Sequence, residues 1–310
     1  PSISGYTPSQ AKVSATTVDG NTQDKTVTIT YSADAQKATI NYIDDTTGKT
    51  INSETINGHT GEAIADPKEA IANYKKQGYQ LASDDLAKGA SFDNDDKTDQ
   101  AFYIHLNHNT ETITPDKPKT PSDIIPGTGK HYPSGVDKDD LNKTVTRTIN
   151  VISPDGKTTT IKQPVTLQRS ATVDDVTGQI TYKAWNTSKW EEYDTPQISG
   201  YTPSPAKVSA TTVDGNTQDQ TVNITYSANA QKAGIKYIDD DTKETLSTDT
   251  DNGKGKFGQP ITFRTDPAKT IKDYEDQGYK LVTNNFKTTD TYQADNNKNQ
   301  FEVHFMHGTT

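Results

Sequence analysis

The chain has 310 residues, of which only 29% are hydrophobic, and its mean hydropathy is -0.90. That length and composition argue against a single large apolar core, and the sequence holds no run of about 18 apolar residues, so two or more small domains with thin cores are expected. A net charge of -10 with no basic stripe argues against nucleic acid as a partner, and the absence of cysteine removes disulfides, thiolate catalysis and cysteine metal sites. The negative charge also opposes capture of acidic ligands, a repulsion that salt screens beyond about 8 Å. Threonine, at roughly one residue in six, suits half-buried strands better than helices, so the chain reads as mainly β. No signal peptide is recognisable, and a start at Pro1 reads as a piece of something longer.

In chain order, residues 1–37 read as the C-terminal part of a β-rich module. Asp19-Gly20-Asn21 gives a turn, and Val27, Ile29 and Tyr31 alternate on one face of an expected strand. So few strands make no core of their own, and support from the following module or from another chain is expected. Residues 38–109 read as an α+β module. Ile40 and Tyr42 alternate on a strand that turns through Asp44-Asp45-Thr46-Thr47-Gly48. A helix follows in DPKEAIANYKKQGYQL, with Asp66 as the expected N-cap, Pro67 at the first helical position, Glu69 completing a capping box and Gly78 ending it. A strand carrying Phe102, Ile104 and Leu106 closes a β-grasp-like order, with Ile71 and Tyr74 burying the helix on the sheet.

Residues 110–143 hold Pro115, Pro118, Pro121, Pro126 and Pro133, which predicts a semi-rigid linker with polyproline-like extension. Residues 144–232 read as one complete β-rich module. Val145, Arg147, Ile149 and Val151 alternate, Ser153-Pro154-Asp155-Gly156 turns, and Val222, Ile224 and Tyr226 close the module. Residues 233–310 repeat the α+β module, with Ile235 and Tyr237, the helix DPAKTIKDYEDQGYKL, then Phe301, Val303 and Phe305. Tyr6 returns as Tyr201, Tyr74 as Tyr274 and His105 as His304, so a unit of about two hundred residues repeats out of phase with the ends of the chain. The fold class is therefore α+β and mainly β: small β-grasp-like modules, each with one short helix on a sheet, alternating with a small β-rich module in an elongated array.

Candidate sites are few. His105 and His108 lie three apart on a strand, as do His304 and His307, so period-2 geometry sends each pair to opposite faces and neither pair forms a metal site by itself. Asp93, Asp95, Asp96 and Asp99 have the carboxylate density for calcium, but their counterparts Gln293, Asp295, Asn296 and Asn299 do not, which favours a solvated loop over a shared site. Trp185 and Trp190 are the two tryptophans; either one, if exposed, would offer a ring face for a sugar, whereas burial is the commoner fate. Tyr74, Tyr79, Tyr274 and Tyr279 read as core. An open edge of a β-grasp sheet is the remaining device, and it suits protein recognition by strand addition.

YIDDTTGKT at Tyr42, the helix with GYQL, and HLNHNT at His105 resemble the MucBP-type module of bacterial mucus-binding proteins. LNKTVTRTINV at Leu141, ATVDDVTGQITYKAW at Ala171 and ISGYTPSPAKV at Ile198 resemble the partner module of the mucus-binding (Mub) repeat. The resemblance implies a non-enzymatic, cofactor-free, wall-attached adhesin of a Gram-positive bacterium such as a lactobacillus. Its expected partners are mucin glycoproteins bound by weak multivalent contacts. Immunoglobulin held at a sheet edge, or a passive spacer stalk, are the alternatives. The resemblance names no catalytic, ligand or metal residue. One departure is TKETL at Thr242, which lacks the glycine of Thr47-Gly48-Lys49.

Overall fold

The computed structural model describes residues 1–86 and 89–308. These form two compact units, residues 1–143 with 168–185 and residues 144–167 with 186–310.

In the first unit, the strand Ala35–Asp44 buries every second residue, including Ala38, Ile40 and Tyr42, so one face of its sheet is the core. It pairs antiparallel with Lys49–His59 on one side and parallel with Gln100–His108 on the other; Tyr79–Asp84 adds antiparallel to the latter. Helix α1 (Lys68–Lys76) covers that face, placing Ile71, Ala70 and Tyr74 against Ile40, Tyr42, Ile104 and Leu106. Two parallel central strands with a helix packed on their sheet make the β-grasp arrangement. Gly78 stops the chain after the helix in the left-handed region, with φ +99.

The expected cap of α1 does not form. Pro67 occupies the N-cap position with no side-chain cap bond, and Asp66 pairs with Lys68 Nζ at 3.3 Å instead. With no cap bond at Asp66, the capping box expected through Glu69 is absent as well.

The N-terminal segment lies on this module. Ser4 Oγ donates to Asn94 O at 2.8 Å, Asp34 N donates to Gly5 O, and Thr60 N donates to Asp34 O. Tyr6–Pro8 pairs with Tyr31–Ala33. The strand expected over Val27 and Ile29 is not formed. In the repeat, the corresponding strand Gln220–Ala228 is held by parallel pairing with Asn142–Ile152, whereas residues 26–30 join no ladder among the described residues. Without a ladder partner, Val27 stays 40% exposed.

Residues 110–143 correct the linker expectation. Thr110–Ile113 pairs antiparallel with Ala171–Asp174, which in turn pairs with Ile180–Tyr182. Ile113, Ile125, Tyr132, Val136 and Leu141 join Ala171 and Val173 in a core of their own. Helix α2 (Lys138–Leu141) is fixed by a capping box in which Asp137 accepts from Asp139 N and Asp140 N. The prolines punctuate turns around this small core, whose apolar residues are too widely spaced to show a strand or helix period.

In the second unit, Tyr201–Ser204, Gln220–Ala228, Asn142–Ile152 and Thr158–Gln168 form a four-stranded sheet in that order. Arg147 is buried beneath it, its guanidinium donating to Gln163 Oε1, Ser209 O and Glu191 O, with burial lowering its pKa. The following β-grasp module repeats the first: Thr245–Thr250, Gly234–Asp239, Gln300–His307 and Tyr279–Asn284 in order, with helix α3 (Pro267–Asp276) supplying Ile271 and Tyr274 to the core. Here Asp266 does cap, accepting from Ala268 N at 3.0 Å. At the altered turn, Lys243 takes the left-handed conformation, with φ 65, that Gly48 supplies in the first copy. Among the described residues, no helix is long and apolar enough to cross a membrane.

Candidate functional site

The two tryptophans have different fates. Trp190 is 2% exposed in the second unit, beneath Arg147, and belongs to structure. Trp185 is half-buried at the surface of the first unit, where the Arg169 guanidinium lies 4.4 Å from its ring and 3.6 Å from the ring of Tyr182. Tyr182 is 39% exposed. The stack is built rather than accidental. Arg169 Nε donates to Asp140 O at 3.0 Å and its backbone N–H to Leu141 O, which tie it to the end of α2. Tyr182 Oη donates to Gly135 O at 2.6 Å, and a Cβ at Gly135 would lie 2.8 Å from that hydroxyl. With Nε engaged, four guanidinium N–H groups remain without a protein acceptor among the described residues. Two partly open rings beside a fixed hydrogen-bond fork can hold the C–H face of a sugar and address its hydroxyls.

The sequence singles out Trp185 but not Arg169 or Tyr182. A usable signal exists, since Arg169 is one of three arginines among 32 basic residues.

The strand-end histidines are tied to the Asp-Asp turn that opens each β-grasp module. His105 Nδ1 lies 2.7 Å from Asp45 Oδ1, and His304 Nδ1 lies 2.8 Å from Asp240 Oδ1. His108 and His307 reach the preceding carboxylates, Nε2 to Asp44 at 3.0 Å and to Asp239 at 2.9 Å. His108 has a second carboxylate, Asp174, at 2.6 Å from Nδ1. Burial disfavours the charged imidazole, yet the bonds to Asp174 and Asp44 outweigh it and the His108 pKa is raised. Burial likewise opposes ionisation of Asp44 and Asp174, and hydrogen bonds from Thr47 and His108 to the first, and from His108 and Thr177 to the second, bring both below the usual range. In the second copy, Asp239, Asp241 and His307 offer ligand atoms within 4.8 Å of one another. Their hydrogen bonds to each other and to the turn account for that grouping.

The acidic loop does not converge on a point. Asp93 Oδ1 and Asp95 Oδ1 accept from backbone N–H groups within the loop, and Asp96 Oδ1 accepts from Gln36 Nε2 at 2.6 Å. Tyr74 and Tyr79 pack edge-on at 5.8 Å within the core, as do Tyr274 and Tyr279 at 5.8 Å. The outer strands Lys49–His59 and Thr158–Gln168 each lie at the edge of their sheet.

Comparison with known proteins places these modules. A family model described as Muc B2-like domain matches residues 1–35 and 136–230, and one described as mucin binding domain matches residues 36–108 and 231–307. Among solved structures, the type 2 repeat of the mucus binding protein MUB from Lactobacillus reuteri is 28% identical, covering 63% of this chain and 100% of that one at a TM-score of 0.42. The Mub-RV crystal structure is 26% identical over 63% of this chain and 99% of that one, with a TM-score of 0.49. The mucin-binding domain of Spr1345 from Streptococcus pneumoniae is 30% identical, covering 28% of this chain and 92% of that one at a TM-score of 0.27. No curated protein sequence matches significantly. With both of its module types matched, each as a repeated domain, the chain belongs to the mucus-binding (Mub) repeat family of bacterial adhesins, built from MucBP-type and Muc B2-like modules.

Proposed function

We propose that this chain is a non-catalytic segment of a bacterial surface adhesin that binds mucin glycoproteins, with the Tyr182–Arg169–Trp185 stack as a sugar-contact platform. The observation that carries the reading is the fixed guanidinium between two partly exposed rings. The ligand class is a neutral hexose or hexosamine face, because a chain of net charge -10 gains nothing from an acidic sugar at long range. One such contact is weak, about 1 kcal/mol per stacked ring, and useful adhesion comes from many modules on one wall-attached protein.

The test measures binding of the full chain to surface-coupled mucin before and after periodate oxidation of the glycans. Trp185→Ala and Arg169→Ala should each weaken binding several-fold while the chain stays folded, with a lowered but still cooperative thermal transition for Arg169→Ala, and wild-type binding should not weaken as salt rises. Binding that survives periodate and both substitutions overturns the platform. It would favour the second reading, strand addition of a protein such as immunoglobulin at the open Lys49–His59 edge.

A further inference from the structure

The two β-grasp modules of this chain carry the same face in two states, one covered and one open. In the first copy the face comprises Gln77, Gly78, Tyr79 and His108, and the turn Val173–Val176 sits on it. Gly78 is buried, and a Cβ there would meet Asp175 O at 2.4 Å. Asp175 N donates to Asn109 O at 2.9 Å, and Asn109 N donates to Gly78 O at 2.9 Å. Lys130 Nζ staples the contact, donating to Gln77 O, Asp175 O and Val176 O at 3.3, 2.6 and 2.5 Å. Asp174 closes it on His108.

The second copy keeps the receiving half. Gly278 has the same left-handed backbone, φ +96 against +99, and Gly308 N donates to Gly278 O at 2.9 Å. Tyr279 and His307 pack edge-on at 5.6 Å, as Tyr79 and His108 do at 5.3 Å. What differs is the cover. Gly278 is exposed with no described atom within 4 Å of a Cβ, and the His307 side chain is 58% exposed against 5% for His108. Gln277, Gly278, Tyr279, His307 and Gly308 line an open cleft of about 230 Å³.

We infer that the Gly278–Tyr279–His307 face is a docking surface for a further module of the kind formed by residues 110–143 with 168–183, which would seat a turn with paired carboxylates on Gly278 and His307 and a lysine on the Gln277 carbonyl. Two departures make this joint weaker than the first. Gly308 lacks the Asn109 amide that donates to Asp175 at 2.5 Å. Asp241 stands where Thr46 stands in the first copy, each accepting from the histidine N–H at 2.7 and 2.9 Å, so an incoming carboxylate meets an extra negative charge. Asp241→Thr therefore tightens docking.

The experiment extends the full chain by placing residues 110–310 again after Gly308, so that every added module has its own neighbours. Carbethoxylation of histidines by diethyl pyrocarbonate, mapped by mass spectrometry, reads the cover. In the 310-residue chain His307 should react about tenfold faster than His108, in proportion to exposures of 58% and 5%. In the extended chain His307 should slow to nearly the His108 rate, and Asp174→Asn with Lys130→Ala in the added copy alone should restore most of its reactivity. His307 reacting as fast in the extended chain as in the original overturns the inference. So does an added segment that stays protease-sensitive there, or protection of His307 in the 310-residue chain on raising its concentration, which would make the occupant a second copy of the chain.

Discussion

Tyr42 and Tyr292 are both about as buried as a tyrosine can be, yet their hydroxyls have opposite standing. Tyr42 is 1% exposed and its Oη has no hydrogen-bond partner among the described residues, while its ring packs at 5.1 Å from Tyr74. An unsatisfied buried hydroxyl opposes folding, so Tyr42→Phe should leave the first unit as stable or more stable by up to about 1 kcal/mol. Tyr292 is 2% exposed and donates to Asp251 Oδ2 at 2.8 Å. Burial, with the bond to that carboxylate, pushes its pKa up to about 12. Tyr292→Phe removes one of the two bonds that Asp251 Oδ2 accepts, Ala233 N keeping the other at 2.7 Å, and should cost about 1.5 kcal/mol, since hydrogen bonds to charged groups are the stronger class. Urea unfolding of the two variants checks both signs; a loss of more than about 1 kcal/mol for Tyr42→Phe would mean its hydroxyl is solvated or bonded. The same scale separates the tryptophans. Spacing alone could not say which of Trp185 and Trp190 faces solvent, because neither sits in a long alternating strand. The choice depends on Arg147, from the strand Asn142–Ile152, and on Arg169, from the link between Thr158–Gln168 and Ala171–Asp174.

At the level of elements, the paired helices show what local sequence dictates and where it stops. Both copies begin Asp-Pro, yet Asp266 caps α3 and Asp66 does not cap α1. Asp266→Ala should therefore cost about 1 kcal/mol, the usual worth of a side-chain N-cap, while Asp66→Ala should be close to neutral. Paired thermal melts decide it, and equal losses would mean that the two caps are equivalent in solution. The helix, its glycine stop, the alternating strands and the β-grasp order are all legible because each is a local pattern with a period. The folded state of residues 110–143 is not. Its core joins Ile113, Ile125, Tyr132, Val136 and Leu141 to Ala171 and Val173, contacts across dozens of residues that leave no periodic trace, and five prolines suggest extension instead. The strand expected over Val27 and Ile29 fails for the complementary reason, since its alternation is present but its ladder partner is not. The histidine sites are half legible: period 2 separates His105 from His108, but only the fold brings Asp45 to one and Asp44 and Asp174 to the other.

For the molecule as a whole, His108 makes the joint between the first β-grasp module and the Ala171–Asp174 strand sensitive to pH. Both ring nitrogens lie within 3.0 Å of carboxylate oxygens, 2.6 Å for Asp174 and 3.0 Å for Asp44, and a neutral imidazole has only one N–H to donate. Both bonds form together only in the imidazolium. Its pKa is raised in the folded chain, so the stability it contributes is complete below the unfolded histidine value of about 6.5 and is lost as pH rises through the higher folded value. Asp44 and Asp174 are depressed, so their contribution is complete above the unfolded value of about 3.9 and fades as pH falls below it. The first unit should thus be most stable between about pH 4 and 6.5 and soften towards alkaline pH. His108→Gln should remove the alkaline limb of that profile and cost about 3 kcal/mol at pH 6, because it leaves the buried Asp44 carboxylate without its charged partner. Calorimetry from pH 4 to 9 on the wild-type chain and on His108→Gln separates the two: parallel profiles would place the pH response elsewhere, whereas convergence above pH 8 assigns it to this joint. The expected consequence is a joint within the first unit that is firmest in mildly acidic surroundings.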